Sequence, residues 1–472
     1  MNYLRCPVLG WASKNNLLAK EKSLSSEFFA FEIRKLREIF HSLFSAAISA
    51  RKSSFEKSII YTKELLQNPD VKAICDAVFI ANGFVANVDV LYKISNNEYS
   101  LFETRASSKH KSKHICDVAF TTMVLSKCDI CVKEIEISHL SHSYRLGMDA
   151  SKMFISTKCF EKVETKKNEF LKLASKIYKE MSSCRKPKAL LKKNCRNCNL
   201  FGNCIGKGVK NHIFNLPRLG TKKLEELIDM GITSVDKIPQ NYELTDMQKI
   251  VRECTIEGKP FVSENLKLEL QKFKKPFYYL DFESITTALP LYKNVAPHTS
   301  LLTQFSIDKT DENGNILNHF EYIADYAKDC RKKIAENLIK CLANEGSIVT
   351  YASFEKIAIL KLAANFAKLS KNLNKIADRI VDLELIIRNN YYDAMFCGRT
   401  SIKKILPVLV PSMSYSDLKI KEGKDATAAF AFMAMGFYSN TKIYQTKKNL
   451  LSYCAQDTLA MIKIHQFLLK II

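Results

Sequence analysis

Residues 277–283 read Phe-Tyr-Tyr-Leu-Asp-Phe-Glu, an aromatic, apolar run that ends in two acids. Such a run predicts a buried strand over 277–285. Side chains at i and i+2 of a strand share a face, so Asp281 and Glu283 stand side by side at its end. An ordinary amphipathic strand has no reason to pair two acids there, whereas a shared divalent cation supplies one. Downstream, the pattern predicts strands over 301–308 and 318–324, a helix over 330–344, a strand over 347–352 and a helix over 354–369. Further helices follow, ending with 450–469. Three early strands and then alternating helix and strand indicate an α/β sheet flanked by helices.

Two more acidic positions extend the pair. Ile348-Val-Thr-Tyr-Ala-Ser-Phe-Glu355 is a buried strand running into a helix with Glu355 in its first turn. Tyr453-Cys-Ala-Gln-Asp457 lies inside a strongly periodic helix, and residues four apart are neighbours on one helix face. Each fragment alone has an ordinary reading: Asp-x-Glu at a strand end is commonly solvated, and Tyr-x-x-x-Asp arises by chance. Their order and placement together are more specific. Phosphodiester hydrolysis with two metals needs carboxylates that hold hard cations ~3.5–4 Å apart, one to activate water and one to stabilise the leaving oxygen.

This set resembles the DnaQ-like, DEDD-type exonucleases, in the subclass with tyrosine in the third motif. The resemblance implies a ribonuclease-H-like fold, a Mg²⁺ or Mn²⁺ two-metal site and 3′-to-5′ removal of nucleotides. By motif, Asp281, Glu283, Glu355 and Asp457 would bind metal, and Tyr453 would position the nucleophile. Glu355 stands where the wider superfamily usually has Asp. Asp382, in Arg-Ile-Val-Asp-Leu, resembles a recurrent Asp after the second motif and is assigned a structural or accessory role.

Cys195-Arg-Asn-Cys198-Asn-Leu-Phe-Gly-Asn-Cys204 is a C-x2-C-x5-C array. Thiolates at this spacing suit zinc or an iron–sulfur cluster, and either needs a fourth ligand. Cys6, in Leu-Arg-Cys-Pro, is the candidate; Cys128 and Cys131 open an apolar strand and read as buried thiols. A remote first cysteine with this array resembles the cluster-bearing RecB-like nucleases, which implies a 4Fe–4S cluster on a restriction-endonuclease-type core. Between the cysteines, Asp89 and Glu103-Thr-Arg105 resemble the PD-(D/E)xK motif, in which Asp and Glu bind metal and Lys stabilises the attacking water. Arg105 replaces that Lys, and its planar, permanently charged fork does not reproduce an ammonium. Thr121 stands where relatives commonly show Gln. A nuclease fold whose site is weakened or lost is the competing expectation here.

Across nearly its full length the chain is similar to a bacterial domain-of-unknown-function family that joins these modules. Cys6-Pro, Asp89 with Glu103, Asp117-Val-Ala-Phe, the cysteine array and Ser401-Ile-Lys-Lys-Ile-Leu-Pro407 carry the resemblance beside the carboxylate motifs. The implied organisation is a RecB-like domain over 1–215, a helical connector over 216–270 and a ribonuclease-H-like exonuclease domain over 271–472.

Composition agrees with a nucleic-acid partner, DNA rather than RNA on the RecB-like resemblance. The 472 residues carry 72 Lys and Arg against 49 Asp and Glu, a net charge of +23, and 47% are hydrophobic. That charge favours polyanions through counterion release, although a Lys-rich solvated surface gives the same count. Residues 185–210 hold eight Lys or Arg and no acid. Lys192, Lys193 and Arg196 are the candidates there for guiding a strand. Residues 1–18 contain no continuous apolar core of a secretory signal, and the apolar span 426–438 is shorter than the ~20 residues a membrane helix needs. Fifteen cysteines then read as thiols or metal ligands in a soluble cytoplasmic protein. The leading expectation is a metal-dependent DNA exonuclease in repair or processing. Its rival is a decayed nucleic-acid-binding or scaffold protein.

Overall fold

The computed structural model describes residues 2–18, 23–342 and 344–472. The chain is mixed α/β and divides into two compact units, Met1–Ala189 with Thr286–Thr299, and Leu190–Ile285 with Ser300–Ile472.

The first unit is built on a six-stranded mixed sheet in sequential order: β1 (Ala47–Ser49), β2 (Ala73–Ala81), β3 (Phe84–Ser95), β4 (Glu98–Arg105), β5 (Cys131–Leu140) and β6 (Phe154–Lys158). Asn82 and Gly83 both have positive φ, 49° and 76°, the geometry a two-residue hairpin needs to match strand twist. They join β2 to β3. β4 and β5 are parallel, and the helix Ser112–Ser126 makes the crossover between them. Val118, Ala119, Val124 and Leu125 of that helix are buried with Val88, Leu101 and Ile137 of the sheet. The helix Phe160–Ser182 ends before the Arg185-Lys186-Pro187 segment, in which proline disfavours helix for the residue ahead of it.

In the second unit β7 (Phe261–Val262) pairs with β13 (Tyr391–Tyr392). The main sheet has five strands: β8 (Phe277–Ile285), β9 (Leu301–Thr310), β10 (Ile316–Ile323), β11 (Ser347–Thr350) and β12 (Ile380–Asp382), in the order β10-β9-β8-β11-β12. β9 is antiparallel to β8 and β10, while β8, β11 and β12 run parallel. Strands covered on both faces read as continuous apolar runs, and β8 does so from Phe277 to Leu280. The 31-residue helix Asn440–Lys470 and the helix Gly423–Ala434 pack on β8. The expected helix over 354–369 breaks at Phe366 into Phe354–Asn365 and Ala367–Asp378. No helix among the described residues is long and apolar enough to cross a membrane.

Contacts divide the chain earlier than the expected boundary after residue 215. The expected connector over 216–270 packs into the second unit: Leu216, Leu224 and Leu227, with Ile213 just ahead of it, share one apolar cluster with Phe277, Leu383 and Met461. Burying each such side chain is worth about 1.5–3 kcal/mol, which ties that segment to the second unit's core. Residues 286–299 lie with the first unit.

Gly346 leads into β11 at φ 79°, and a Cβ there would meet the carbonyl oxygen of Pro276 at the start of β8. Gly346→Ala is therefore expected to destabilise the protein by more than about 1 kcal/mol. A urea midpoint equal to wild type would show that the strand start relaxes freely.

Candidate metal centre

β8 carries Asp281 and Glu283 on one face at its C-terminal end, as the two-residue period requires. Glu355 sits in the first turn of Phe354–Asn365 and is buried. Tyr453 and Asp457 project from the same face of Asn440–Lys470 and are buried too. These five side chains line one cleft of about 300 Å³ together with Lys403. Asp281, Glu283 and Asp457 offer oxygens that all lie within 4.8 Å of one another. Among the described residues this is the group of three or more possible ligands that converges so closely. Glu355 Oε2 is buried and has no hydrogen-bond partner.

The electrostatics follow from confining like charges away from water. Burial, then the charges of Asp457, Glu283 and Glu355, push the Asp281 carboxyl well above its usual range. Burial and Asp457 push Glu283 up to about 8, against a lowering by the Lys403 ammonium. Burial takes Glu355 to about 8, with Asp382, Asp457 and Glu283 adding to it. Asp457 reaches only about 6, because the Tyr415 hydroxyl donates to its Oδ1 and Lys403 opposes the effect of burial. A divalent cation would favour the ionised set, and the raised values favour protons on Glu283 and Glu355 near neutral pH. The donor set is all carboxylate oxygen, which suits hard cations such as Mg²⁺ or Mn²⁺.

Surrounding groups fix the ligands. Cys454 donates its thiol to Asp281 Oδ2 at 3.1 Å, and the neighbouring carboxylates keep that buried thiol protonated. Thr458, next to Asp457, donates to the buried Asp308 Oδ2 at 2.6 Å and lies 3.1 Å from Ser306 Oγ. Asp308 Oδ1 meets His319 Nδ1 at 2.7 Å. Asp382 caps the helix Leu383–Asn390 by accepting from Leu385 N at 3.1 Å, and it also accepts from Ala352 N at 3.0 Å. Ala352 has φ 74°, so Asp382 holds the strained turn that launches the Glu355 helix. Lys403, Tyr415 and Cys454 were not foreseen as site residues. Lys403 stood in a quoted motif without a role, and Tyr415 lies in an aperiodic loop.

In the first unit β3 and β4 bring Asp89 and Glu103 together, both buried. Their charges are already matched. Arg105 Nη1 lies 2.9 Å from Glu103 Oε2 and 4.0 Å from Asp89 Oδ2. Arg37, absent from the sequence expectation, places Nε 2.7 Å from Asp89 Oδ1. The backbone N–H of Thr104 donates to Asp89 Oδ2 at 2.7 Å. Burial and the Asp89 charge still hold Glu103 at about 7. Thr121 donates to the carbonyl of Asp117 at 3.3 Å within its own helix.

Cys195, Cys198 and Cys204 are half-buried on the short 3-10 turns around Lys193–Asn197 and Phe201–Asn203 in the second unit; half-buried Cys6 belongs to the first. The Cys195 thiol donates to the carbonyl of Leu190 at 3.7 Å. Among the described residues, Cys195, Cys198 and Cys204 do not bring three ligand atoms within 4.8 Å of one another. Lys192 and Lys193 are exposed, and Lys193 donates to Thr221 Oγ1 at 3.2 Å. Burial and the charge of Arg399 lower the pKa of half-buried Arg196.

The Glu283 shift has a thermodynamic consequence. Its folded pKa of about 8 exceeds the ordinary 4.5, so the folded metal-free protein binds more protons between those values. Stability from this group is present at low pH and is lost as pH rises towards 8. Metal-free Glu283→Gln should therefore gain melting temperature over wild type by a few degrees at pH 8 and by less at pH 5. A pH-independent difference would exclude Glu283 as the titrating group.

A family model described as "Domain of unknown function (DUF2779)" matches residues 278–401, which include Asp281, Glu283 and Glu355. The chain is 28% identical over 230 residues to "Uncharacterized protein MG366" of Mycoplasma genitalium, covering 45% of this chain and 34% of that protein. It is 28% identical over 226 residues to "Uncharacterized protein MG366 homolog" of Mycoplasma pneumoniae, covering 44% of this chain and 34% of that protein. The chain thus spans about a third of the length of these curated relatives. No solved structure matches it. Residues 278–401 therefore carry a match to the family described as DUF2779.

Proposed function

We propose that the second unit is a divalent-metal-dependent phosphodiesterase that removes nucleotides from the 3′ end of DNA. The observation that carries this reading is the convergence of Asp281, Glu283 and Asp457 oxygens within 4.8 Å, beside the unpartnered buried Glu355 Oε2. The strand order, with one antiparallel pair of strands on one side of β8 and two parallel strands on the other, supports the ribonuclease-H-like reading. Bound divalent cations would supply an activated water and charge neutralisation at the leaving oxygen. The protein's own part is to hold four carboxylates in one orientation. Tyr415 restrains Asp457, Cys454 restrains Asp281, and Tyr453 presents its hydroxyl to the cleft.

The first unit is read as a RecB-like fold that binds nucleic acid without hydrolysing it. The guanidinium groups of Arg37 and Arg105 already neutralise Asp89 and Glu103, the specific observation favouring a silent site. The cysteine array is read as a site for a 4Fe–4S cluster, with zinc as the alternative. Iron and zinc analysis of anaerobically purified protein tests it; protein without either metal removes the reading.

End-labelled single- and double-stranded DNA incubated with Mg²⁺ or Mn²⁺ should lose nucleotides stepwise. Asp281→Ala and Asp457→Ala should each lower the rate by ~10²–10³-fold or more, the scale for losing a group that stabilises developing charge. Binding without cleavage under every metal would instead support the nucleic-acid-binding reading alone. Charge reversal at Lys192, Lys193 and Arg196 should flatten the salt dependence of DNA binding, since fewer counterions are then released. An unchanged slope would place the DNA elsewhere.

A further inference from the structure

Lys403 is the second residue of the helix Ile402–Leu409. The positive end of the peptide dipoles lies there, so local preference favours an acid in the first turn rather than a cation. The compensation is found in the cleft. Lys403 Nζ donates to Tyr453 Oη at 2.8 Å and to the carbonyl of Lys421 at 2.6 Å. Its ammonium lies 4.8 Å from the ring centroid of Tyr453 and 5.1 Å from that of Tyr415, within cation–π range of both. Two hydrogen bonds and two rings hold one flexible side chain in place.

A phenol has one proton to give and a lone pair to receive. With its oxygen accepting from Lys403, the Tyr453 hydroxyl keeps its proton for an oxygen on another side. Tyr453 is buried and lines the cleft with Asp281, Glu283, Glu355 and Asp457. We infer that Lys403 is a positioning residue that fixes the Tyr453 hydroxyl as a hydrogen-bond donor toward the attacking water or a phosphoryl oxygen in the carboxylate cleft. The inference rests on the hydrolytic reading of that cleft. The bond to the Lys421 carbonyl has its own part: it keeps the ammonium from swinging onto the carboxylates.

The test is steady-state hydrolysis of end-labelled DNA with Mn²⁺ by wild type, Lys403→Met, Lys403→Arg, Tyr453→Phe and the Lys403→Met/Tyr453→Phe double variant. Exposed Lys404→Met serves as control, and melting curves check folding. Lys403→Met should lower kcat by ~10–100-fold with little change in KM, the scale of one charge-assisted hydrogen bond. Lys403→Arg should recover part of that loss. In the Tyr453→Phe background Lys403→Met should cost little more, since the two residues act as one unit. With ¹³Cζ-labelled tyrosine, the signal missing from Tyr453→Phe should move in Lys403→Met and return toward its place in Lys403→Arg. An effect confined to KM, an undiminished effect without the Tyr453 hydroxyl, or an unmoved ¹³Cζ signal overturns the inference and leaves the nuclease reading standing. A folded wild type that hydrolyses no DNA with any divalent metal removes that reading, and this inference with it.

Discussion

Like charges held out of water dominate the second unit. Asp281, Glu283, Glu355 and Asp457 converge where a cleft of about 300 Å³ gives little room for solvent, and each is pushed toward its protonated form. A fold tolerates that only if the surrounding frame resists relaxation. The frame is β8, buried from Phe277 to Leu280 and gripped by β9, β11 and two helices. Fixed hydrogen bonds then restrain two of the acids directly and a third through its turn. Cys454 holds Asp281, Tyr415 holds Asp457, and Asp382 holds the turn that carries Glu355.

The first unit meets the same problem with the opposite solution. Asp89 and Glu103 are more deeply buried than Asp281 and Glu283, and Arg37 and Arg105 stand against them. A guanidinium stays charged at any pH the protein meets, so those ion pairs do not yield by losing a proton. In the second unit the nearby cation is Lys403, and its two hydrogen bonds go to a phenol and a backbone carbonyl. One cleft leaves its acids available to a ligand; the other satisfies them internally.

Much of this was legible in the sequence where short-range geometry decides it. The two-residue period of 277–283, the helix start before Glu355 and the four-residue step from Tyr453 to Asp457 each fixed a face without any tertiary information. The Asn82-Gly83 hairpin was legible for the same reason. What escaped depends on chain segments far apart in sequence. Arg37 meets Asp89 across an intervening helix and two strands, and Tyr415 meets Asp457 from a loop with no periodicity. The unit boundary escaped likewise: residues 216–270 look like a connector until Leu216 and Leu224 are found in the core of β8's unit.

Thr458 gives the long helix Asn440–Lys470 a property that length and hydrophobicity do not. Its hydroxyl is fastened to Asp308, which His319 holds in turn, and this sets the rotational phase of the helix against the sheet. An α-helix turns about 100° per residue. A single-residue insertion between Tyr453 and Thr458 would leave the backbone helical and yet turn Leu450 and Tyr453 by about 100° relative to Thr458, swinging the tyrosine off the cleft. The fastening works like the index mark on a dial: the spacing across this one turn decides which side chains of the helix face the cleft.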